Sequence, residues 1–319
     1  MKVYITRELP EIAFKLLRQN KISFDYYKKD QPIPRKLLLS KIKDCEALIT
    51  LLTEKIDKEV IDQMPRCKII SNYAVGYNNI EIEYAKKKKI IVTNTPDVLT
   101  ESTADLTMAL VLACARRISE GEKLLRRGKY KGWKPKLLLG MELKGKIFGI
   151  LGAGRIGSAV AKRARSFGTN ILYFDQKRNE KLEKELGASK VSLPFLLQNA
   201  DIFSVHLPLN NKTYHFLNKG KLNQLKKNSI LINTSRGEVI DERALISLLK
   251  RNWIMAIGLD VFENEPKLNP ELSKFPNVIV LPHLGSATKE ARDGMAELAV
   301  KNVINVIKGK RPLTPVYRF

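Results

Sequence analysis

An arginine, a glutamate and a histidine in the second half of the chain each follow a predicted strand. Arg236, Glu265 and His283 stand just after short apolar runs, and ligands of open α/β sheets bind at the carboxyl ends of the strands. An arginine fork holds a carboxylate and polarises a ketone, and a histidine gives a proton to an alkoxide. A glutamate paired with that histidine favours its charged form. These three residue types fit hydride transfer to a keto acid.

Two members of the trio also have a structural interpretation. Arg236 could cap a turn, and Glu265 could be a solvated loop carboxylate, for which Glu263 is the nearest rival. The two other histidines of the chain, His206 and His215, are better explained as structural residues. The residue types alone leave the catalytic and structural interpretations open.

Three glycines with G-x-G-x-x-G spacing predict a dinucleotide site. Gly152, Gly154 and Gly157 follow the apolar run 147–151 and precede a helical pattern. The first glycine permits a tight turn, the second lets the backbone approach a pyrophosphate, and the third lets helix and strand pack closely. The start of the helix attracts phosphate. The alternative is an ordinary strand–turn–helix.

Asp175 follows the next predicted strand, where an acid binds the adenosine ribose hydroxyls of NAD. Its carboxylate would repel the extra phosphate of NADP, so NAD is the expected cofactor. Gln176, Lys177 and Arg178 come directly after it and soften that preference, which leaves NADP as the weaker alternative.

Length and composition indicate two domains of a globular protein. The 319 residues correspond to two domains at roughly 150 residues each. No apolar run approaches the roughly 20 residues of a membrane span, and the N-terminus does not resemble a signal peptide. Three scattered cysteines indicate buried thiols in a reducing compartment, which predicts a cytoplasmic protein, and no metal-binding spacing is present.

The net charge of +24 has three interpretations. Nucleic-acid binding neutralises phosphates, steering attracts small anions, and a lysine-rich surface needs no partner. The basic residues are spread along the chain and no zinc-finger spacing occurs, so we expect a solvated surface with modest steering and no specific nucleic-acid partner.

Apolar runs alternate with helical stretches along the chain, which is typical of βα units with a parallel sheet. Strands are predicted over residues 2–6, 47–52, 67–73, 90–94, 147–151, 171–175, 201–207, 229–234, 256–260 and 278–282. Long helices are predicted over residues 101–127 and 286–308, and a shorter one over residues 9–19.

Seven segments spread over nearly the whole chain carry a resemblance to the D-2-hydroxyacid dehydrogenase family, closest to its glyoxylate and hydroxypyruvate reductases. They are residues 73–80, 94–106, 152–157, 205–209, 233–241, 258–266 and 281–288. The resemblance places the family's catalytic arginine, glutamate and histidine at Arg236, Glu265 and His283. The family's glutamate directly precedes a proline, which selects Glu265 over Glu263.

The resemblance also implies further site residues. For the substrate they are Leu52, Val75, Gly76, Arg236 and Trp133, with Trp133 reaching the site of a neighbouring subunit. For the cofactor they are Thr103, Gly152, Gly154, Arg155, Ile156, Gly157, Asp175, Leu207, Pro208, Thr213, Thr234, Asp260, His283 and Gly285. A homodimer is also implied, and the residue spacing predicts no metal site.

The layout implied by the resemblance is an α/β protein in which one domain is inserted into the other. Residues 99–285 would form the NAD-binding Rossmann domain with a doubly wound parallel sheet. Residues 1–98 and 286–319 would form the smaller, flavodoxin-like substrate domain.

The expected activity is NADH-dependent reduction of glyoxylate or hydroxypyruvate to glycolate or D-glycerate. An apolar Leu52 suits a small substituent on the keto acid. Two alternatives within the family are dehydrogenation of D-3-phosphoglycerate or D-lactate. An alternative of another class is an NAD-sensing binding protein like the family's corepressors, which keep the same trio.

Overall fold

The computed structural model describes residues 2–317. Within them the chain forms two sheets in which every pair of neighbouring strands is parallel, which confirms the α/β fold class. The chain divides into two compact units. One unit contains the segment up to Leu99 and the segment from Ala287 onward, and the other is Thr100–Ser286. The assignment of substrate and cofactor roles to these units stays a prediction.

The first unit is built on a five-stranded sheet in the order β2-β1-β3-β4-β5, which is the flavodoxin-like order. Its elements are β1 (Lys2–Ile5), α1 (Glu11–Gln19), β2 (Ser23–Tyr26), α2 (Arg35–Lys41), β3 (Ala47–Thr50), α3 (Lys58–Asp62), β4 (Ile69–Asn72), α4 (Ile82–Lys87) and β5 (Ile91–Thr93). The central strands β3 and β4 are buried along their whole length, because helices cover both faces of a parallel sheet.

The second unit is built on a seven-stranded sheet. Its elements are α5 (Thr100–Ala115), α6 (Ile118–Arg126), β6 (Ile147–Leu151), α7 (Arg155–Ser166), β7 (Asn170–Phe174), α8 (Glu180–Leu186), β8 (Ser189–Lys190), α9 (Leu193–Asn199), β9 (Ile202–Val205), α10 (Lys219–Leu222), β10 (Ile230–Asn233), the 3₁₀ turn Gly237–Val239, α11 (Glu242–Lys250), β11 (Ala256–Leu259), α12 (Pro270–Ser273) and β12 (Val278–Val280).

The strand order β12-β11-β10-β9-β6-β7-β8 reverses direction at β6. Chain connections leave β6 toward β7 on one side, and β9 returns to its other side. Ligands of doubly wound sheets bind at such a switch point. The glycine motif directly follows β6, so the fold places it at this point.

The C-terminal helix α13 (Lys289–Ile307) returns the chain to the first unit and packs against α1 and β4. It begins at Lys289 because the Thr288 side chain accepts a hydrogen bond from the N–H of Ala291 and caps the helix. The prediction that this helix starts at Ser286 was therefore three residues too early.

The predicted single helix over residues 101–127 is wrong. The structure has two helices, α5 and α6, separated at Arg117, which is in the left-handed region with φ 53°. The N–H of Met141 donates to the carbonyl of Ala115 at 2.8 Å, so a distant segment takes the carbonyl at the end of α5. No glycine or proline marks this position in the sequence, so local rules could not find the break.

Two edge strands, β2 and β8, were not predicted. β2 is at most half-buried and β8 is a two-residue, exposed strand. Edge strands cover only part of a sheet face and carry a weak apolar pattern.

Among the helices of residues 2–317, none combines the length and apolarity that a membrane span requires.

Candidate active site

The glycine loop between β6 and α7 has a shape that only glycine permits at two positions. Gly152 has φ +95°, and a Cβ there would lie 2.8 Å from the carbonyl oxygen of His206. A Cβ at Gly157 would lie 2.0 Å from the carbonyl oxygen of Gly152. The chain therefore turns sharply and α7 packs directly on the loop.

Gly154 differs from these two glycines because a Cβ added there meets nothing within 4 Å. Gly154 is the N-cap of α7 and supplies no side-chain hydrogen bond to the helix start. Open space thus lies in front of a helix N-terminus that no side chain caps, and this arrangement fits a phosphate. Gly154, Arg155, Ile156 and Gly157 form this turn, so the residues present fit a dinucleotide.

Asp175 lies directly after β7 and beside the glycine loop. Its Oδ2 accepts a hydrogen bond from the N–H of Ala153 at 2.8 Å, and its Oδ1 accepts one from the N–H of Lys177 at 3.3 Å. Asn179 donates from Nδ2 to the carbonyl of Ala153 at 2.8 Å and caps α8. Both side chains therefore hold the loop in place. The ribose contact of Asp175 stays a prediction.

The loop after β9 carries three more residues expected near the adenosine. Leu207 and Pro208 follow His206, and Thr213 closes the loop by accepting from the N–H of Asn210 at 2.8 Å and donating to the carbonyl of Pro208. Gly152 approaches the same loop at His206. The structure thus brings the adenosine-side candidates to the end of β9, next to the glycine loop.

Glu265 and His283 meet at the ends of β11 and β12. Oε2 of Glu265 lies 2.9 Å from Nδ1 of His283. The other carboxylate oxygen accepts from the N–H of Phe262 at 3.2 Å. A carboxylate only accepts, so Nδ1 carries the proton of this hydrogen bond and Nε2 is left for other chemistry.

The loop that carries His283 is held by Asp260. The carbonyl of Asp260 accepts from the N–H of His283 at 3.0 Å, and its two carboxylate oxygens accept from the N–H groups of Leu284 and Gly285 at 2.6 and 2.8 Å. Burial raises the pKa of Asp260 above its ordinary value, and these two hydrogen bonds offset only part of that rise. Asp260 therefore positions the His283 loop, and its contact with a nicotinamide stays a prediction.

A chain of threonine hydroxyls connects the start of α5 to this loop. Thr103 donates to the carbonyl of Gly285 at 3.1 Å, Thr107 donates to the carbonyl of Thr103 at 2.8 Å, and the hydroxyls of Thr107 and Thr234 lie 2.8 Å apart. A Cβ on Gly285 would lie 3.2 Å from Oδ2 of Asp260. The structure thus brings together four of the predicted cofactor residues: Thr103, Thr234, Asp260 and Gly285.

Arg236 is held in the loop after β10 by Asn233. The Nδ2 of Asn233 donates to the carbonyl of Arg236 at 2.8 Å, and its Oδ1 accepts from the N–H and hydroxyl of Ser235. Burial lowers the pKa of Arg236 below its ordinary value, and the charges of Glu265 and Glu238 offset only part of this lowering. Its side chain donates to the carbonyl of Ser235 at 2.7 Å. Gly237 must be glycine, because a Cβ would lie 2.1 Å from the backbone of Phe262.

The structure separates the two glutamates that the sequence left as rivals. Glu263 lies within hydrogen-bond distance of His215, and Glu265 lies within hydrogen-bond distance of His283. The N–H of Glu263 also donates to the buried Glu242 at 3.2 Å. His206 is distinct from both, since its Nε2 lies 2.8 Å from the hydroxyl of Ser204 and burial lowers its pKa to about 3.

Leu52, Val75 and Gly76 belong to the first unit, and Trp133 belongs to the second. Leu52 lies just after β3 and is 40% exposed. Val75 and Gly76 lie just after β4 and are half-buried. Trp133 is 81% exposed. Their roles toward a substrate stay predictions.

Asparagines at strand ends were missed by the sequence analysis. Asn72 ends β4, Asn94 follows β5 and Asn233 ends β10, and each donates from its side chain to a backbone carbonyl of a candidate site loop. The signal was present, because an asparagine stands at the carboxyl end of three predicted strands.

Comparison with known proteins gives one family and several full-length relatives. The family model for the D-isomer specific 2-hydroxyacid dehydrogenase, NAD binding domain, matches residues 108–285. A glyoxylate reductase of Thermococcus litoralis is 50% identical over 98% of this chain and 95% of its own length. A glyoxylate reductase of Pyrococcus horikoshii is 48% identical over 99% of this chain and 96% of its own.

Solved structures with the same fold carry either nicotinamide cofactor. A glyoxylate reductase from Paecilomyes thermophila superposes with a TM-score of 0.90 at 31% identity, covering 99% of this chain and 98% of its own. A D-lactate dehydrogenase from Aquifex aeolicus, 29% identical with a TM-score of 0.85 over 97% and 96% of the two chains, was solved with NAD and lactic acid. An NADPH-dependent glyoxylate/hydroxypyruvate reductase from Sinorhizobium meliloti, 31% identical with a TM-score of 0.86 over 99% and 96%, was solved with NADP and malonate.

Proposed function

Because the chain belongs to the D-isomer specific 2-hydroxyacid dehydrogenase family, we propose that it reduces glyoxylate and hydroxypyruvate to glycolate and D-glycerate with NADH. The observation that carries the proposal is the Glu265–His283 pair at 2.9 Å, two strand ends along from the loop of Arg236. The glyoxylate reductases that match nearly the full chain support the choice of substrate.

The geometry of the Glu265–His283 pair supports the following roles for the trio. Glu265 occupies Nδ1 of His283, so Nε2 of the imidazolium is the atom that donates a proton to the oxygen of the reduced carbonyl. Arg236 keeps its charge and binds the substrate carboxylate and carbonyl oxygen. When bound in this site, NADH would supply the hydride for the keto carbon, which would give the 2-hydroxy acid and NAD⁺.

The cofactor site is assigned to the second unit. The turn of Gly152, Gly154, Arg155, Ile156 and Gly157 would bind the pyrophosphate, with Thr103 on the nicotinamide side. Leu207, Pro208 and Thr213 would flank the adenosine, and Thr234, Asp260 and Gly285 would border the nicotinamide. Asp175, with a carboxylate beside the glycine loop, favours NADH over NADPH because of charge repulsion with the 2′-phosphate.

A homodimer is proposed from exposed apolar side chains on the second unit. Four side chains between Ile118 and Leu139 are more than half exposed: Ile118, Leu125, Trp133 and Leu139. Exposed apolar patches of this kind mark interaction sites. A second copy of the chain is the proposed partner, and Trp133 would then reach the neighbouring site.

The cytoplasm is the proposed location. Cys45, Cys67 and Cys114 are free and buried, and burial raises the pKa of Cys114 to about 12. Such thiols are typical of a reducing compartment. Cell fractionation with an antibody to the chain tests this assignment, and recovery outside the cytoplasm would contradict it.

The activity is tested by following NADH oxidation with glyoxylate, hydroxypyruvate, pyruvate and 3-phosphohydroxypyruvate side by side, and by repeating the series with NADPH. We expect the two small substrates to turn over fastest and NADH to be preferred. Preference for the phosphorylated acid or for pyruvate would replace the proposed substrate with one of the family alternatives. Absence of turnover with all four would contradict the proposal.

A further inference from the structure

Three consecutive carbonyls after β4 each accept a hydrogen bond. The carbonyl of Ala74 accepts from the N–H of Thr95 at 2.9 Å. The carbonyl of Val75 accepts from Nδ2 of Asn94 at 2.8 Å, and the carbonyl of Gly76 accepts from Nδ2 of Asn72 at 2.8 Å. Thr95 and Asn94 both follow β5, so the first two carbonyls point to the β5 side.

The N–H groups of the same peptides must point the other way. In residues 2–317 the single cis peptide bond is Glu265–Pro266, so the peptides after Ala74, Val75 and Gly76 are trans, and in a trans peptide C=O and N–H are opposed. The N–H groups of Val75 and Gly76 therefore point together toward the β3 side. The N–H of Tyr77 points away from Asn72.

These three N–H groups remain available. None of them donates a hydrogen bond within the described residues. Val75 and Gly76 are half-buried and Tyr77 is exposed, so a ligand can reach them. The N–H groups of Val75 and Gly76 point in one direction, and adjacent N–H groups arranged in this way form a concavity that attracts anions.

The asparagine that holds Gly76 contains a buried polar atom without a hydrogen-bond partner. Asn72 is fully buried, and its Oδ1 has no hydrogen-bond partner. The hydroxyl of Thr95, next to Asn94, is likewise buried without a partner. A buried polar atom without a partner lowers stability, so packing and stability alone do not explain why an asparagine stands at position 72. Its hydrogen bond to the carbonyl of Gly76, which orients the loop, does.

The neighbouring loop after β3, which carries Leu52, is also held by side-chain hydrogen bonds. Nδ2 of Asn79 donates to the carbonyls of Leu51 and Glu54, both at 3.0 Å. The buried carboxylate of Glu54 accepts from the N–H of Leu51 at 2.9 Å and from the hydroxyl of Thr6 at 2.7 Å. The loop that carries Leu52 is therefore fixed on the β3 side, toward which the N–H groups of Val75 and Gly76 point.

We propose that Asn72 and Asn94 are positioning residues that turn the N–H groups of Val75, Gly76 and Tyr77 outward as a receptor for the substrate carboxylate. This inference rests on the proposed function and deepens it. It adds two side chains and a third N–H donor, that of Tyr77, to the Val75 and Gly76 already expected at the substrate. Leu52, on the fixed loop, would limit the substituent next to the carboxylate.

The test compares Asn72→Ala and Asn94→Ala with the control Asn277→Ala. Asn277 also donates from Nδ2 to a backbone carbonyl, that of Met255 at 2.9 Å, but lies at the amino end of β12. For each protein we would measure KM and kcat with glyoxylate, the binding of oxamate to the NADH complex, and the binding of NADH alone. Oxamate is a carboxylate that is not reduced.

We expect KM and the oxamate dissociation constant to rise about tenfold or more in both test variants, because the carboxylate loses oriented donors. NADH binding should stay within about twofold of the wild type, and the control should leave all four quantities unchanged. An oxamate affinity equal to wild type in either folded variant overturns the inference. So does an equal loss in the control.

Asn94→Asp keeps the test decisive if an alanine variant fails to fold. It preserves the volume of the side chain and replaces the donor by an acceptor that faces the Val75 carbonyl. We expect weaker oxamate binding than in Asn94→Ala, because a negative charge then lies near the receptor, and equal or stronger binding overturns the inference. Wild-type protein that binds oxamate but reduces no keto acid would contradict the proposed function alone, whereas wild-type protein that does not bind oxamate would overturn this inference.

Discussion

At the scale of single residues, the two histidine–glutamate pairs show how position decides chemistry. Glu263 and Glu265 are two residues apart, yet one pairs with His215 and the other with His283. The charge of Glu265 raises the pKa of Arg236, against the lowering by burial. The same pair of residue types therefore occurs twice, and only the tertiary contacts distinguish the pair of Glu265 and His283 from the pair of Glu263 and His215.

His283→Ala is expected to lower kcat with glyoxylate by about 100- to 10,000-fold, because the proton donor to the alkoxide is lost. NADH binding should change little. His215→Ala is the matched control, since it removes the other histidine of a histidine–glutamate pair and should leave kcat within about tenfold of wild type. Steady-state kinetics and NADH titration measure both variants. Equal losses in the two would show that His283 has no special role.

His206 makes stability depend on pH. Its pKa is about 3 in the folded protein because the ring is buried, against about 6.5 in an unfolded chain. Between these values the unfolded chain binds more protons, so the free energy of unfolding falls as the pH drops below about 6.5, by up to about 1.4 kcal/mol per pH unit. Above about pH 6.5 this contribution is complete.

Urea unfolding at pH 7.5, 6 and 5 measures this loss, and His206→Gln should reduce it because glutamine does not titrate. The comparison with wild type removes the contribution of all other groups. An identical pH dependence in the two proteins would contradict the assignment of a buried, neutral His206.

At the scale of elements, local pattern and distant contact contribute differently. Strand β6 was predicted with its observed bounds, because a fully apolar run followed by glycines is a local signal. The break between α5 and α6 was not predicted, because the carbonyl of Ala115 bonds to Met141, a residue beyond α6. The glycine loop depends on both, because its G-x-G-x-x-G spacing is local and Gly152 closely approaches His206, which is distant in sequence.

Gly157→Ala is expected to lower stability, whereas Gly154→Ala is expected to weaken NADH binding. A Cβ at Gly157 would lie 2.0 Å from backbone, so this variant should lose at least about 1–3 kcal/mol of stability. A Cβ at Gly154 meets open space, so stability should change by less than about 1 kcal/mol while NADH binding weakens about tenfold or more, since the methyl group takes room needed by the pyrophosphate.

Thermal unfolding and NADH titration of the two variants give the comparison. Unchanged NADH affinity in Gly154→Ala would remove the pyrophosphate from this turn. Full stability of Gly157→Ala would show that α7 can move away from the loop.

At the scale of the whole molecule, the two units have separate sheets and cores, with strand orders of the flavodoxin-like and doubly wound types. The trio Arg236, Glu265 and His283 belongs to one unit, and the N–H groups of Val75, Gly76 and Tyr77 belong to the other.

Oligomeric state is the prediction that belongs to this scale. Light scattering should give twice the mass of one chain. Leu125→Lys, which places a charge on the exposed apolar face of α6, should raise the dissociation constant of the dimer by at least about tenfold, about 1.4 kcal/mol. Leu313→Lys is the control, because Leu313 is a similarly exposed leucine of the first unit. A wild-type monomer at all concentrations would contradict the proposed dimer.

The sequence by itself determined the α/β class, the turn of the glycine motif and the strand ends that carry Arg236, Glu265 and His283, because these depend on apolar periodicity and on residue types within a few positions. Residue types left Glu263 and Glu265 as rivals, and the family resemblance selected Glu265. Only the tertiary structure decided that Glu265 meets His283, that Ala115 ends a helix, and that Asn72 and Asn94 orient the loop of Val75. The contacts of Glu265, Asn72 and Asn94 form at the carboxyl ends of parallel strands, and the end of α5 depends on Met141. In each case the deciding contact or loop geometry exists only in the folded chain.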